Sequence, residues 1–206
     1  MTRFAAMHRF LDRPLSGVSR LLLLAGLVAL LAGALLPLWR IELVAPQYAE
    51  GLSLEMYTYK IAAGHDGQDL HEINTLNHYI GMQPIHEADF VEMTWMPFAV
   101  GVFALLTLRA AAIGRVGSVV DLAALFGYFG LFSLASFAYR LYTYGHRLDP
   151  TAPMTIEPFM PVLIGSQQIA NFVQTSLPRT GTFCMGLYLA ALLGAMWFSR
   201  ERQHAA

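Results

Sequence analysis

Four runs of roughly 20 residues carry almost no charge, and they constrain the fold more than anything else in the chain. A bilayer hydrocarbon core about 30 Å thick is crossed by about 20 mostly apolar residues in a helix. Leu21 to Leu38 is uncharged. Met93 to Ile113 holds only Arg109, near one end, where a long cationic side chain can reach the interface. Val116 to Tyr139 is broken only by Asp121, and Gly181 to Phe198 runs uncharged into Arg200, Glu201 and Arg202. Composition agrees: 56% of residues are apolar and 13% charged, against about 25% charged in soluble domains. That is too little charge to cover a water-facing globule, and too much apolar content for a disordered chain. A net charge of −1 argues against nucleic acid as a partner. The single cysteine, Cys184, excludes an intrachain disulfide, a cysteine zinc site and a C-x-x-C-H haem attachment.

The expected fold is therefore an all-α membrane protein: four transmembrane helices with a small α+β outer region between helices 1 and 2. Lys and Arg set the orientation. Arg3, Arg9, Arg13, Arg20, Arg109, Arg115, Arg200 and Arg202 fall on one side of a four-span layout, which is then cytoplasmic. The layout reads as a basic N-terminus (1–20), a first span (21–38), a periplasmic cap (39–92) and a second span (93–113). A turn (114–115), a third span (116–139), a proline-rich outer loop (140–180), a fourth span (181–198) and a cytoplasmic tail (199–206) follow. Trp39, Trp95, Tyr139, Tyr142 and Tyr144 suit the outer interface and Trp197 the inner one. A multi-pass membrane protein with both termini cytoplasmic is therefore expected. The first span could instead be a signal peptide, since Ala32-Gly33-Ala34 fits a small-residue cleavage site. Ala25, Ala29 and Gly33, and Gly186, Ala190 and Gly194, form small-residue stripes that permit close helix approach.

The outer segments hold the unusual chemistry. Residues 40–92 contain nine of the 14 carboxylates and four of the seven histidines. No histidine lies mid-span, so no haem held between spans is expected. Nor do the spans carry the mid-membrane charges of an ion path. Asp121, three residues after Ser118, reads as part of a capping box. Leu52, Leu54 and Met56 alternate with Ser53, Glu55 and Tyr57, predicting a strand that extends toward Ile61, with 64–67 as a turn. Asp69 then N-caps a helix, with Glu72 at the third position, that runs to Ile80 and stops at Gly81. Leu70, Ile73, Leu76 and Ile80 share one face; His71, Asn74, Thr75 and His78 share the other.

That second face suggests a metal site. His71 and His78 lie about 10.5 Å apart along the axis, too far to share one ion easily. His78 and Met82 are four residues apart. With His86, Met56, Met93 or Met96 brought near by folding, they would make a His/Met site suited to Cu(I). The alternative is that the histidines are interfacial hydrogen-bonders and the methionines are packing. The candidate metal ligands are thus His78, Met82, His71 and His86.

In the second outer loop, residues 161–177 carry Gln167, Gln168, Asn171, Gln174 and Thr175, which predicts an interfacial or re-entrant amphipathic helix. It could face the first loop or a partner protein. No nucleophile–base–acid set, phosphate-cradling glycine loop or H-E-x-x-H is present, so a non-enzymatic role is expected.

Ala45-Pro-Gln-Tyr-Ala-Glu-Gly-Leu52 and the run Asp69 to Ile85, with Asn77-His78-Tyr79-Ile80-Gly81-Met82 at its centre, resemble segments of small bacterial membrane proteins. Those proteins are associated with nitrous oxide reductase gene clusters. The resemblance implies an accessory role beside a periplasmic copper enzyme, in copper handling, maturation or electron supply, with a membrane or periplasmic protein partner. It carries over no site residues. The competing expectation is a structural anchor subunit of a respiratory complex without bound metal.

Overall fold

The computed structural model describes residues 3–199. Four helices are long and apolar enough to cross a membrane: α2 (Gly17–Leu35), α4 (Glu92–Ile113), α5 (Val116–His146) and α6 (Thr180–Phe198). A short helix, α1 (Arg3–Leu11), precedes them, and α3 (Gln68–Tyr79) lies in the first outer segment. α2 packs on α4 and α6, and α5 packs on the same two, which closes a four-helix ring. The α2 start is set by Ser16, whose side-chain oxygen accepts the Ser19 amide at 3.0 Å. Its end falls before Pro37, which disfavours helical geometry in the preceding residue.

The structure is not all-α. Five strands, β1 (Trp39–Ala45), β2 (Tyr48–Met56), β3 (Ile61–Ala63), β4 (Gly165–Ile169) and β5 (Phe172–Pro178), form one antiparallel sheet ordered β3-β2-β1-β5-β4. Residues 161–177 are therefore not an amphipathic helix. Most of that segment is a hairpin, and β5 pairs with β1 from Trp39 opposite Pro178 to Val44 opposite Val173. The polar residues that look helically spaced obey the strand period of two instead: Gln174 and Ser176 face inward with Phe172, while Val173 and Leu177 face out. Pairing with a strand far earlier in the chain, Trp39 to Val44, outweighs local periodicity. Both outer segments thus build one cap at one end of the bundle.

The cap core joins Trp39, Ile41, Leu43, Leu52 and Leu54 of the sheet to Ile73, Leu76 and Ile80 of α3 and Leu141 of α5. The strand starting at Tyr48 ends at Met56 rather than continuing to Ile61; the chain turns back, with the Tyr57 amide donating to the Lys60 carbonyl at 2.9 Å. Asp69 is not an N-cap. Gly67, at φ +93°, holds that position, and Asp69 turns inward to accept the Ser53 amide at 2.8 Å. Gly81 ends α3 at φ +81°, where its absent side chain lets the Asp149 backbone approach. Ser118 caps nothing: α5 already begins at Val116, with Arg115 as N-cap residue and no side-chain cap bond. Of the small-residue stripes, Ala29 and Gly33 are buried, whereas Ala25, Gly186 and Ala190 are exposed. The closest approach uses Gly33 and Gly181: a side chain at Gly181 would meet the Leu36 carbonyl oxygen at 2.6 Å.

Candidate functional site: a chamber under the cap

The bundle core fills the half of the ring farthest from the cap. Tyr188, Leu23, Leu192 and Val119 are fully buried there, and the Thr107 and Tyr188 hydroxyls share a 2.7 Å hydrogen bond. Toward the cap α2 and α6 stay closely packed at Gly33 and Gly181, but the space between α4, α5 and α6 opens. Between α4, α5 and α6 lies a chamber of about 390 Å³, floored by Val100, Phe126 and Leu189 and roofed by Trp39, Met56 and Thr58. Its lining is overwhelmingly apolar. Gly130, Leu134 and Gly186 border it and are exposed on the helix surfaces, so its mouth opens between α5 and α6. On a membrane-spanning bundle that mouth faces hydrocarbon.

The polar chemistry is concentrated at the cap end. Arg140 Nη2 donates to both Glu92 oxygens, at 3.1 and 2.8 Å, and Ser136 Oγ donates to Glu92 Oε1 at 2.8 Å. The Arg140 guanidinium also lies 4.4 Å from the Phe90 ring centroid, a cation–π contact. Arg140, Phe90, Met56 and Phe137 line both this chamber and a smaller cavity of about 60 Å³ inside the cap. The ion pair therefore forms the partition between them. Nearby hydroxyls and the indole are committed: Trp39 Nε1 to Ser176 Oγ at 2.8 Å, Thr58 Oγ1 to the Ala34 carbonyl at 2.8 Å, Thr182 Oγ1 to the Leu38 carbonyl at 2.6 Å. Ser133 Oγ is different. It lines the chamber, is buried, and has no hydrogen-bond partner.

The candidate metal ligands do not converge. His71, His78 and His86 are exposed on the cap, whereas Met82 packs into the cap core and lines the small cavity. His78 lies near Asp149, whose carboxyl is held below its ordinary range chiefly by the Thr151 hydroxyl and amide, with a smaller contribution from His78. Among the described residues no group of three or more His, Cys, Asp or Glu is placed to hold a metal ion. Met56, Met93, Met96 and Met185 all line the chamber.

A histidine outside that candidate set, His65, is engaged with a carboxylate. Its Nδ1 lies 2.6 Å from Asp69 Oδ1. The hydrogen bond to Asp69 raises the His65 pKa, helped by the carboxylate's charge. Burial pushes the Asp69 carboxyl up, but the Ser53 amide and the His65 contact outweigh it and hold Asp69 below its ordinary value. Through the Ser53 amide, Asp69 ties α3 to β2, and His65 braces the carboxylate.

Sequence reasoning passed over Glu92, Ser133, Arg140 and Met185. A signal existed for the ion pair: Glu92 precedes the second apolar run and Arg140 follows the third, so antiparallel spans bring them to one depth. Nothing local marks Ser133 or Met185. A scan of protein-family models finds none that matches the chain, and a search of curated proteins finds no match.

Proposed function

We propose that this is a non-enzymatic accessory protein of a bacterial inner membrane, with both termini cytoplasmic and the cap periplasmic. Its working part is the chamber, which holds a lipid-soluble molecule. The chamber itself carries the reading: its volume falls in the roughly 300–1,000 Å³ range of small-molecule sites, its walls are apolar, and its charged groups sit at one end. A binding role suits the chemistry, because its two charged groups, Glu92 and Arg140, are spent on each other. The resemblance to proteins of nitrous oxide reductase clusters supplies the context of maturation or electron supply for a periplasmic copper enzyme. A photoactivatable alkyl diazirine in proteoliposomes tests the site. Labelling should concentrate at Met93, Met96 and Ser133 and be lost in Gly186→Phe, which fills the mouth; uniform labelling of the lipid-facing surface would defeat the reading.

Copper handling is the second reading, and the observation that favours it is the set of four methionines in the chamber. Thioethers are soft ligands suited to Cu(I). In this form the ligands are Met56, Met93, Met96 and Met185 rather than His78, Met82, His71 and His86. Cu(I) titration under reducing conditions separates the sets: Met93→Leu with Met96→Leu abolishes uptake in one case, His78→Ala with Met82→Leu in the other. No uptake by the wild type removes copper altogether. The metal-free anchor alternative predicts stable co-purification with a redox partner and an empty chamber.

A further inference from the structure

Resting on the chamber as a binding site, we infer that its ligand is a lipid-soluble quinone: a flat, neutral ring with opposed carbonyl oxygens on a long hydrocarbon tail. Charge is the first argument. Glu92 cancels Arg140 through two hydrogen bonds, so the polar end of the chamber is neutral overall and offers no net attraction to a phosphate head. Hydrogen bonding is the second. Ser133 has an unspent hydroxyl, and the Arg140 N–H groups other than those on Nη2 are not engaged by Glu92. Arginine can only donate, so the ligand must present acceptors.

Spacing is the third argument. Ser133 and Arg140 are seven residues apart, on one face of α5 and about 10.5 Å apart in rise. Arg140 is held in place by Glu92 and Phe90, which favours a head with acceptors at opposite ends over a single carbonyl. The walls are the fourth. Trp39 and Phe137 pack edge to face at 5.3 Å, Phe129 faces the chamber from the same helix as Phe137, and Met93 and Met96 supply polarisable sides. Such walls suit a planar ring better than a branched acyl glycerol. The mouth between Gly130 and Gly186 lets the tail leave into hydrocarbon.

Full-length protein in nanodiscs of quinone-free phospholipid, titrated with decyl-benzoquinone and read by tryptophan quenching, tests this. Trp39 lines the chamber. Quenching should saturate. Ser133→Ala should weaken binding roughly 5- to 10-fold, the value of one hydrogen bond. Gly130→Phe and Gly186→Phe should abolish it, since neither position has a neighbour within 4 Å to clash with the new side chain. Gly101→Phe, equally unobstructed but outside the chamber, should leave it unchanged and controls for folding. Non-saturating quenching, or saturable quenching indifferent to Ser133→Ala and both phenylalanine variants, overturns the inference. If dioctanoylglycerol or phospholipid chains fill the chamber and the quinone does not, the quinone is wrong and the chamber reading stands. If no probe enters, both fail.

Discussion

The two halves of the bundle are built from the same helices, yet α4, α5 and α6 pack closely in one half and part in the other. Away from the cap, Phe126 meets Tyr188 edge to face at 4.7 Å, and Gly26 admits the Tyr188 ring against α2. Ser16, Ser19 and Ser199 close that end through hydroxyl contacts of 2.8 and 2.9 Å, and Ser19 also donates to the Ala195 carbonyl at 2.8 Å. Toward the cap, the same α5 and α6 present Gly130 and Gly186 to open space. Interiors normally pack as densely as organic crystals, so an unfilled half beside a filled one is a use of the fold. The far end and the α2–α6 seam at Gly33 and Gly181 hold the helices together, and the cap-side space between α4, α5 and α6 is free to bind.

The comparison can be broken by mutation. Tyr188→Ala should have the largest effect, about 3–5 kcal/mol as for other buried aromatics. Leu134→Ala at the chamber mouth should stay within about 0.5 kcal/mol. Equal losses on denaturant unfolding in mild detergent would mean that the halves are packed alike. Next comes Gly181→Ala, whose Cβ would lie 2.6 Å from the Leu36 oxygen and 2.8 Å from the Pro37 oxygen, both backbone atoms. A loss of about 1–3 kcal/mol is expected. Gly130→Ala, on the open side, should be neutral or stabilising by up to about 1 kcal/mol. Thr107→Val removes the hydroxyl that Tyr188 shares and should cost about 1 kcal/mol; no cost would mean that the tyrosine finds another partner.

The smallest effect contrasts cap with bundle. Asp69, with its pKa lowered, stabilises the cap above its unfolded value near 4, and that contribution is lost as pH falls through the lower folded value. His65, with its pKa raised, contributes fully below about 6.5 and loses the contribution as pH rises through the higher folded value. The latch between α3 and β2 should therefore be strongest between about pH 4 and 6.5. Protection of the Ser53 amide from hydrogen exchange, corrected for intrinsic rates, should peak there in the wild type and flatten in His65→Gln. A peak that persists in the variant would assign the pH dependence elsewhere.

Much of the bundle could be read from the sequence because a membrane-spanning helix satisfies its own backbone locally. Leu21 to Leu38 and Gly181 to Phe198 announce themselves through length and the absence of charge. The sheet could not be read the same way. β5 exists because Trp39 to Val44 pairs with it, and its polar Gln174 and Ser176 face inward, opposite to the expected alternation. α3 was legible in its extent and its apolar face but not in its cap, because Asp69 is drawn inward by an amide on another strand. The chamber was least legible of all. Its methionines, ion pair and unpartnered serine come from separate helices, and an empty volume has no sequence pattern.

Native mass spectrometry of the wild-type protein released from membranes, beside Gly186→Phe, tests the central claim most directly. A single non-phospholipid adduct of low polarity, close to one per chain in the wild type and lost in the variant, is the predicted result. A wild type released empty, or carrying the same adducts as Gly186→Phe, would contradict the account.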